Sequence, residues 1–185
     1  MAVETPPRMD ADAFLAWAVA RGDAARHELA GGEVVAMPPE RAGHARMKFA
    51  LARALEDAVA RTGRPCEVFT DGMAVRIDSA NVFVPDGSLR CGPRLSDDTI
   101  DFSDPVVVAE VLSPSTQAQD TGGKLEAYFR LESLAHYLIV KTDPPAVIHH
   151  AREAGGIRTT IRREGDLSLD PPGVALSLDA VFRRG

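Results

Sequence analysis

Only two cysteines, Cys66 and Cys91, occur in the 185 residues. They form no CxxC pair and no Cys/His cluster, so neither a zinc site nor a disulfide framework is expected, and a reduced, cytoplasmic location is the default. No run approaches the roughly 18 apolar residues that a membrane span requires. Met1 to Asp10 lacks the basic-then-apolar layout of a secretory signal. A basic excess is missing as well. The net charge of -6 weighs against broad nonspecific nucleic-acid binding, which usually shows as a basic domain. The basic groups Arg41, Arg46, Lys48, Arg53 and Arg158, Arg162, Arg163 read as solvated faces. No repeat, low-complexity tract or dividing linker interrupts the chain. What remains is 45% hydrophobic and 26% charged, the composition of a soluble globular protein. At this length, residues 1–185 fit one domain able to bury a real core.

Periodicity predicts a short helix over residues 9–21, capped by Asp10, with Phe14, Leu15, Trp17 and Ala18 as its apolar stripe. His27-Glu28-Leu29 and Glu33 to Met37, joined by Gly31-Gly32, read as a hairpin. A long helix runs from about Gly43 to Thr62 on a core face of Met47, Leu51, Leu55, Ala58 and Val59, and Gly63 and Pro65 stop it. Strands are expected at residues 66–69, 73–77, 82–84 and 106–112, with Gly87 and Gly92 as punctuation. A helix over 120–134 follows, then strands at 136–141, 146–151 and 157–163. A tail after Pro171-Pro172-Gly173 packs through Val174, Leu176, Leu178 and Val181. This order predicts a mixed α/β or α+β fold with one central sheet flanked by helices.

Two strand-end acids carry the chemistry. Val106 to Ala109 is continuously apolar and leads straight into Glu110, while Asp86 follows Val82-Phe83-Val84-Pro85. A half-buried carboxylate is costly unless it is paired or ligated. Should the two strands be neighbours, the acids converge on one hard cation, and Mg2+ favours one or two carboxylates with waters and phosphate oxygens. Lys124, on the following helix, can offset charge on a phosphate in the transition state or position the attacking water. Each residue also has a plainer role. Asp86 serves as a turn residue, Glu110 as a strand-end acid facing water, and Lys124 as an exposed lysine paired with Asp120 at i,i+4.

The block Glu110-Val111-Leu112-Ser113-Pro114-Ser115-Thr116, followed by Asp120, Lys124 and Tyr128, resembles the signature of the Uma-type restriction endonuclease family within the PD-(D/E)xK nuclease superfamily. The segment from His27 to Pro39, with His44 next, is similar to that family's YELxxGE-like N-terminal block. Phe69-Thr70 through Pro85-Asp86 is similar to its middle. The resemblance spans residues 26–150 and implies a restriction-endonuclease-like core and Mg2+-dependent cleavage of DNA, with Mn2+ as a substitute ion and a homodimer as the working unit. It further implies that Asp86 and Glu110 ligate the metal together with the backbone carbonyl of Val111, and that Glu28 is an auxiliary acid. His44 and Asp120 are lesser auxiliaries. The superfamily's usual lysine position is occupied by Leu112, which makes Lys124 the implied replacement. His27, where the family often has an aromatic residue, and Gly87-Ser88 after the PD element are further departures.

Two other functions fit the same residues. One is a catalytically silent binding or scaffold protein that keeps the fold, in line with the acidic charge and the displaced lysine. The other is metal-dependent hydrolysis of a different phosphorylated substrate, since a fold does not fix a function.

Overall fold

The computed structural model describes residues 8–21, 26–112 and 121–183. Helix α1 (Ala11–Arg21) begins where Asp10 accepts the N–H of Ala13 at 2.8 Å. It buries Ala11, Phe14 and Leu15 but leaves Ala18 exposed. Strands β1 (His27–Ala30) and β2 (Glu33–Ala36) form the expected hairpin, with Gly31 and Gly32 at φ 59° and 81°. Such a two-residue turn needs positive φ at both positions, which favours glycine. Helix α2 (Ala42–Thr62) buries Leu51, Ala54, Leu55 and Ala58, and stops at Gly63.

The strands that follow are β3 (Cys66–Phe69), β4 (Ala74–Asp78), β5 (Asn81–Phe83), β6 (Gly87–Cys91), β7 (Asp101–Phe102) and β8 (Pro105–Leu112). Helix α3 (Thr121–Tyr128) leads to β9 (His136–Thr142), β10 (Pro145–Glu153) and β11 (Gly156–Arg162). The hairpin β12 (Asp166–Leu169) and β13 (Val174–Ser177) and the short helix α4 (Leu178–Phe182) close the chain. The fold is mixed α+β, as expected, but its strands divide between two large sheets and a hairpin. One sheet has the order β2-β1-β5-β4-β7 and the other β11-β10-β9-β8-β6-β3. Both are mixed, because β8 pairs with β9 and β4 with β7 in parallel.

One face of the six-stranded sheet packs Leu89, Val107, Ala109 and Val111 against Leu51, Leu55 and Ala58 of α2 and against the β12–β13 hairpin. The opposite face joins Val108, Tyr137 and Ile139 to Tyr128 of α3 and to Val75, Phe83 and Phe102 of the five-stranded sheet. Helix α1 covers Leu29, Ala74 and Val82. Among the described residues, no helix is long and apolar enough to cross a membrane.

Four expectations need correction. Gly87 is not punctuation: it begins β6, a strand that lacks β-branched residues and forms because β3 and β8 pair with both its edges. The helix after β8 is shorter than 120–134, with Gly122 and Gly123 inside its first turn; Leu131 and Leu134 bury from turns beyond it. Cys66 and Cys91 stand opposite each other on β3 and β6 and form a disulfide, which removes the argument from reduced thiols. Spacing along the chain concealed this, because strand pairing rather than a local motif brings the two sulfurs together. Finally, Lys48 belongs to no solvated face: it is 3% exposed.

Candidate active site

Asp86 sits where the chain passes from one large sheet to the other, between β5 and β6, and is buried. Asp86 follows β5 in the chain, yet the strand after it makes the useful contact. β6 runs antiparallel to β8 with Gly87 opposite Ala109, which delivers Asp86 to the far end of β8. A Cβ on Gly87 would lie 3.4 Å from Leu51 Cδ2, an ordinary van der Waals contact, so Leu51 of α2 packs directly on this junction. Asp86 Oδ2 accepts the N–H of Val111 at 2.7 Å and lies 3.2 Å from His44 Nε2. Thr70 donates its hydroxyl to the Asp86 carbonyl at 2.9 Å.

Glu110 is reached from α3. Lys124 Nζ lies 3.1 Å from Glu110 Oε1, and Tyr128 donates its hydroxyl to the same oxygen at 3.1 Å. Lys124 also donates to Glu28 Oε1 at 2.9 Å, which in turn accepts the backbone N–H of Val84 at 2.9 Å. Glu28 thus ties β1 to the residue that follows β5, and Lys124 ties α3 to both acids. The ammonium lies 5.2 Å from the ring centroid of Phe83, near enough for a cation–π contact. The expected partner Asp120 lies outside the described residues. Leu112, in the usual lysine position, packs against the apolar cluster around Tyr128.

Electrostatics follow from this enclosure. Burial, reinforced by the neighbouring charges of Asp86 and Glu28 and opposed by Lys124, pushes the Glu110 carboxyl up to about 7. Burial acts to lower the Lys124 ammonium, but Glu110 and Glu28 outweigh it and the net direction is upward. Tyr128 is held well above its ordinary value by burial and by the Glu110 charge. Its hydroxyl therefore acts as a hydrogen-bond donor, not as a base. His44 is raised chiefly by its hydrogen bond to Asp86, with burial working against the shift.

A second group surrounds Asp86 from the side of α2, and sequence reasoning missed most of it. His44 and Lys48 are one helical turn apart and share a face. Lys48 Nζ lies 2.6 Å from Asp71 Oδ2 and 3.8 Å from Asp86 Oδ1, and makes a close ion pair with Glu40. Arg26 pairs with both Glu40 and Asp71. The i,i+4 spacing of His44 and Lys48 was a usable signal. Nothing local in the sequence marks Glu40 or Asp71 as their partners.

Five carboxylates (Glu28, Glu40, Asp71, Asp86, Glu110) therefore face three fixed cations (Arg26, Lys48, Lys124). A cluster this rich in carboxylates suits a divalent ion. The donor set fits too. Among the described residues, the hydrogen bonds to the Asp86 and Glu110 carboxylates fall on Asp86 Oδ2 and Glu110 Oε1. Ligand atoms of Glu40, His44 and Asp86 also lie within 4.8 Å of one another.

The family model for Uma2, described as putative restriction endonuclease, matches residues 11–181. The chain belongs to the Uma2 family. Uncharacterized protein slr1290 of Synechocystis sp. is 27% identical over 180 residues, covering 96% of this chain and 93% of that one. Among solved structures, a putative nuclease belonging to DUF820 from Anabaena variabilis superposes with a TM-score of 0.66 at 18% identity. That match covers 84% of this chain and 89% of the other. At that identity the likeness shows a shared fold. In this Uma2 chain the structure brings together Glu28, His44, Asp86, Glu110 and Lys124.

Proposed function

We propose that this chain is a divalent-metal-dependent endonuclease that hydrolyses DNA phosphodiester bonds. One observation carries the reading. Asp86 and Glu110 are locked to the same strand end through the Val111 N–H, while Lys124 is pinned between Glu110 and Glu28. Asp86 and Glu110 are the proposed ligands of Mg2+, with Mn2+ as the substitute. Val111 adds its carbonyl, which leaves the strand on the same edge as the N–H bonded to Asp86. When bound, the ion polarises a phosphoryl oxygen and lowers the pKa of a coordinated water. Lys124 supplies a fixed positive charge beside the scissile phosphate, where charge develops in the transition state. Glu28 holds that ammonium in place, and Tyr128 fixes Glu110 by occupying its Oε1. His44, bonded to Asp86, is the auxiliary residue on the side of α2. Cutting both strands of a duplex asks for two such sites, which makes a homodimer the proposed working unit.

Supercoiled-plasmid nicking by wild type and Asp86→Ala, each with Mg2+, Mn2+ and chelator, tests the reading. Metal-dependent nicking that disappears in the variant is expected. Equal nicking by both proteins, or none with either ion, would count against the nuclease reading; the second outcome alone would favour a binding module on a nuclease fold.

A further inference from the structure

The proposed ion does not account for the charge on the α2 side of Asp86, where Glu40 and Asp71 stand beside a lysine that is 3% exposed. Burying an ammonium is costly unless its partners are excellent. Here they are carefully held. Asp71 is the one non-glycine residue at positive φ among those described, at 42°, in the turn between β3 and β4. Such a conformation persists where the surroundings over-determine it, and Asp71 carries contacts to both Lys48 and Arg26. Arg26 closes the array by pairing with Glu40 as well. Lys48 approaches Asp86 Oδ1 to 3.8 Å, near enough for attraction but beyond hydrogen-bond length. It therefore orients the carboxylate without occupying the oxygen left for the ion.

We propose that Lys48 is a positioning residue for Asp86, a fixed cation that takes the place a second divalent ion would hold. This rests on the reading of Asp86 as a metal ligand. The ligand atoms of Glu40, His44 and Asp86, all within 4.8 Å of one another, make a set that a divalent ion accepts, and the Lys48 ammonium contacts two of those three residues. An ammonium is a compact point charge, so here it neutralises part of the acid cluster permanently and independently of metal supply. Without it, among the described residues, Arg26 is the fixed cation left to Glu40 and Asp71, and His44 the partner left to Asp86. The site as built is then a one-ion site, and removing Lys48 converts it into a two-ion site.

Full-length wild type, Lys48→Met and Lys48→Arg are to be titrated with Mn2+, free ion being read by its electron paramagnetic resonance signal. Each is melted in chelator and in Mn2+. Wild type is expected to bind one Mn2+ per chain and Lys48→Met two. The melting temperature of Lys48→Met should fall in chelator and recover in Mn2+ by more than wild type gains. Lys48→Arg, which keeps the charge, should match wild type in both readouts; a merely structural lysine would not predict a gained ion. Lys48→Met with wild-type stoichiometry and no extra Mn2+ stabilisation overturns the inference, as does a Lys48→Met chain unfolded in chelator and Mn2+ alike. Should wild type bind no Mn2+, the metal reading of Asp86 and Glu110 fails. The Lys48 comparison stays legible, as a change from no ion to one.

Discussion

The backbone N–H of Val111 is bonded to Oδ2 of Asp86 at 2.7 Å, so the residue after the second acid holds the first in place. This contact joins a side chain at the sheet-to-sheet crossing to the last residues of β8, and it separates two roles of Asp86. Asp86→Asn keeps an acceptor for the N–H but loses the charge, whereas Asp86→Ala loses both. Both variants should lose metal-dependent cleavage. Only Asp86→Ala should also leave a buried donor unpaired, at a cost of about 1–3 kcal/mol. Urea unfolding of the two variants beside a nicking assay reads the difference, and equal stability losses would contradict it.

Lys124 is the sole described cation that touches Glu110, and it touches Glu28 as well. Lys124→Met should therefore destabilise by roughly 3 kcal/mol, because two enclosed carboxylates lose their common partner. Adding Glu28→Gln to Lys124→Met should recover part of that loss, since the remaining repulsion is reduced. A double-mutant cycle on unfolding free energies is expected to show a coupling of about 1–2 kcal/mol. Additive losses would mean that the 2.9 Å contact carries no energy.

Cys66 and Cys91 close a loop with a sequence separation of 25, and that loop contains both Asp71 and Asp86. Chain-entropy arguments give such a crosslink about 3 kcal/mol. Thiol titration of the denatured, unreduced chain should find no free thiol. Reduction, or Cys66→Ser with Cys91→Ser, should lower the unfolding midpoint by a matching amount. Two titratable thiols before reduction would refute the pairing.

Local signals made the outer frame legible. Gly31-Gly32 marked the hairpin, Asp10 the cap of α1, and the Leu51, Leu55, Ala58 spacing the buried face of α2. Glu110 was visible because four apolar residues run into it. Strand β6 stayed hidden because Gly87-Ser88-Leu89-Arg90-Cys91 has little strand propensity; its order comes from pairing on both edges, and Arg90 is accommodated by Asp104 at 2.8 Å. With β6 unseen, the route by which Asp86 reaches Glu110 could not be drawn. The Lys48 array was hidden for a related reason. Its members lie on the approach to β1, the loop before α2, α2 itself and the turn between β3 and β4, which only the assembled fold brings together.

His136 and His149 form a buried pair on β9 and β10, with His136 Nδ1 2.9 Å from His149 Nε2 and His136 Nε2 2.9 Å from the Pro171 carbonyl. One tautomer assignment satisfies both contacts: His149 donates to His136, and His136 donates to Pro171. Burial, with the neighbouring charges of His136 and Arg158 adding to it, pushes His149 down from 6.5 to about 4. His136 is also lowered, chiefly by burial. Below pH 6.5 the unfolded chain takes up a proton that folded His149 refuses until about pH 4. The folded state therefore keeps its full advantage above that window and loses it as the pH falls, by at most roughly 3 kcal/mol at 1.36 kcal/mol per pKa unit. Urea midpoints across this range should decline for wild type and flatten for His149→Gln, whose amide can still donate to His136. An unchanged slope in His149→Gln would assign the acid sensitivity to other groups.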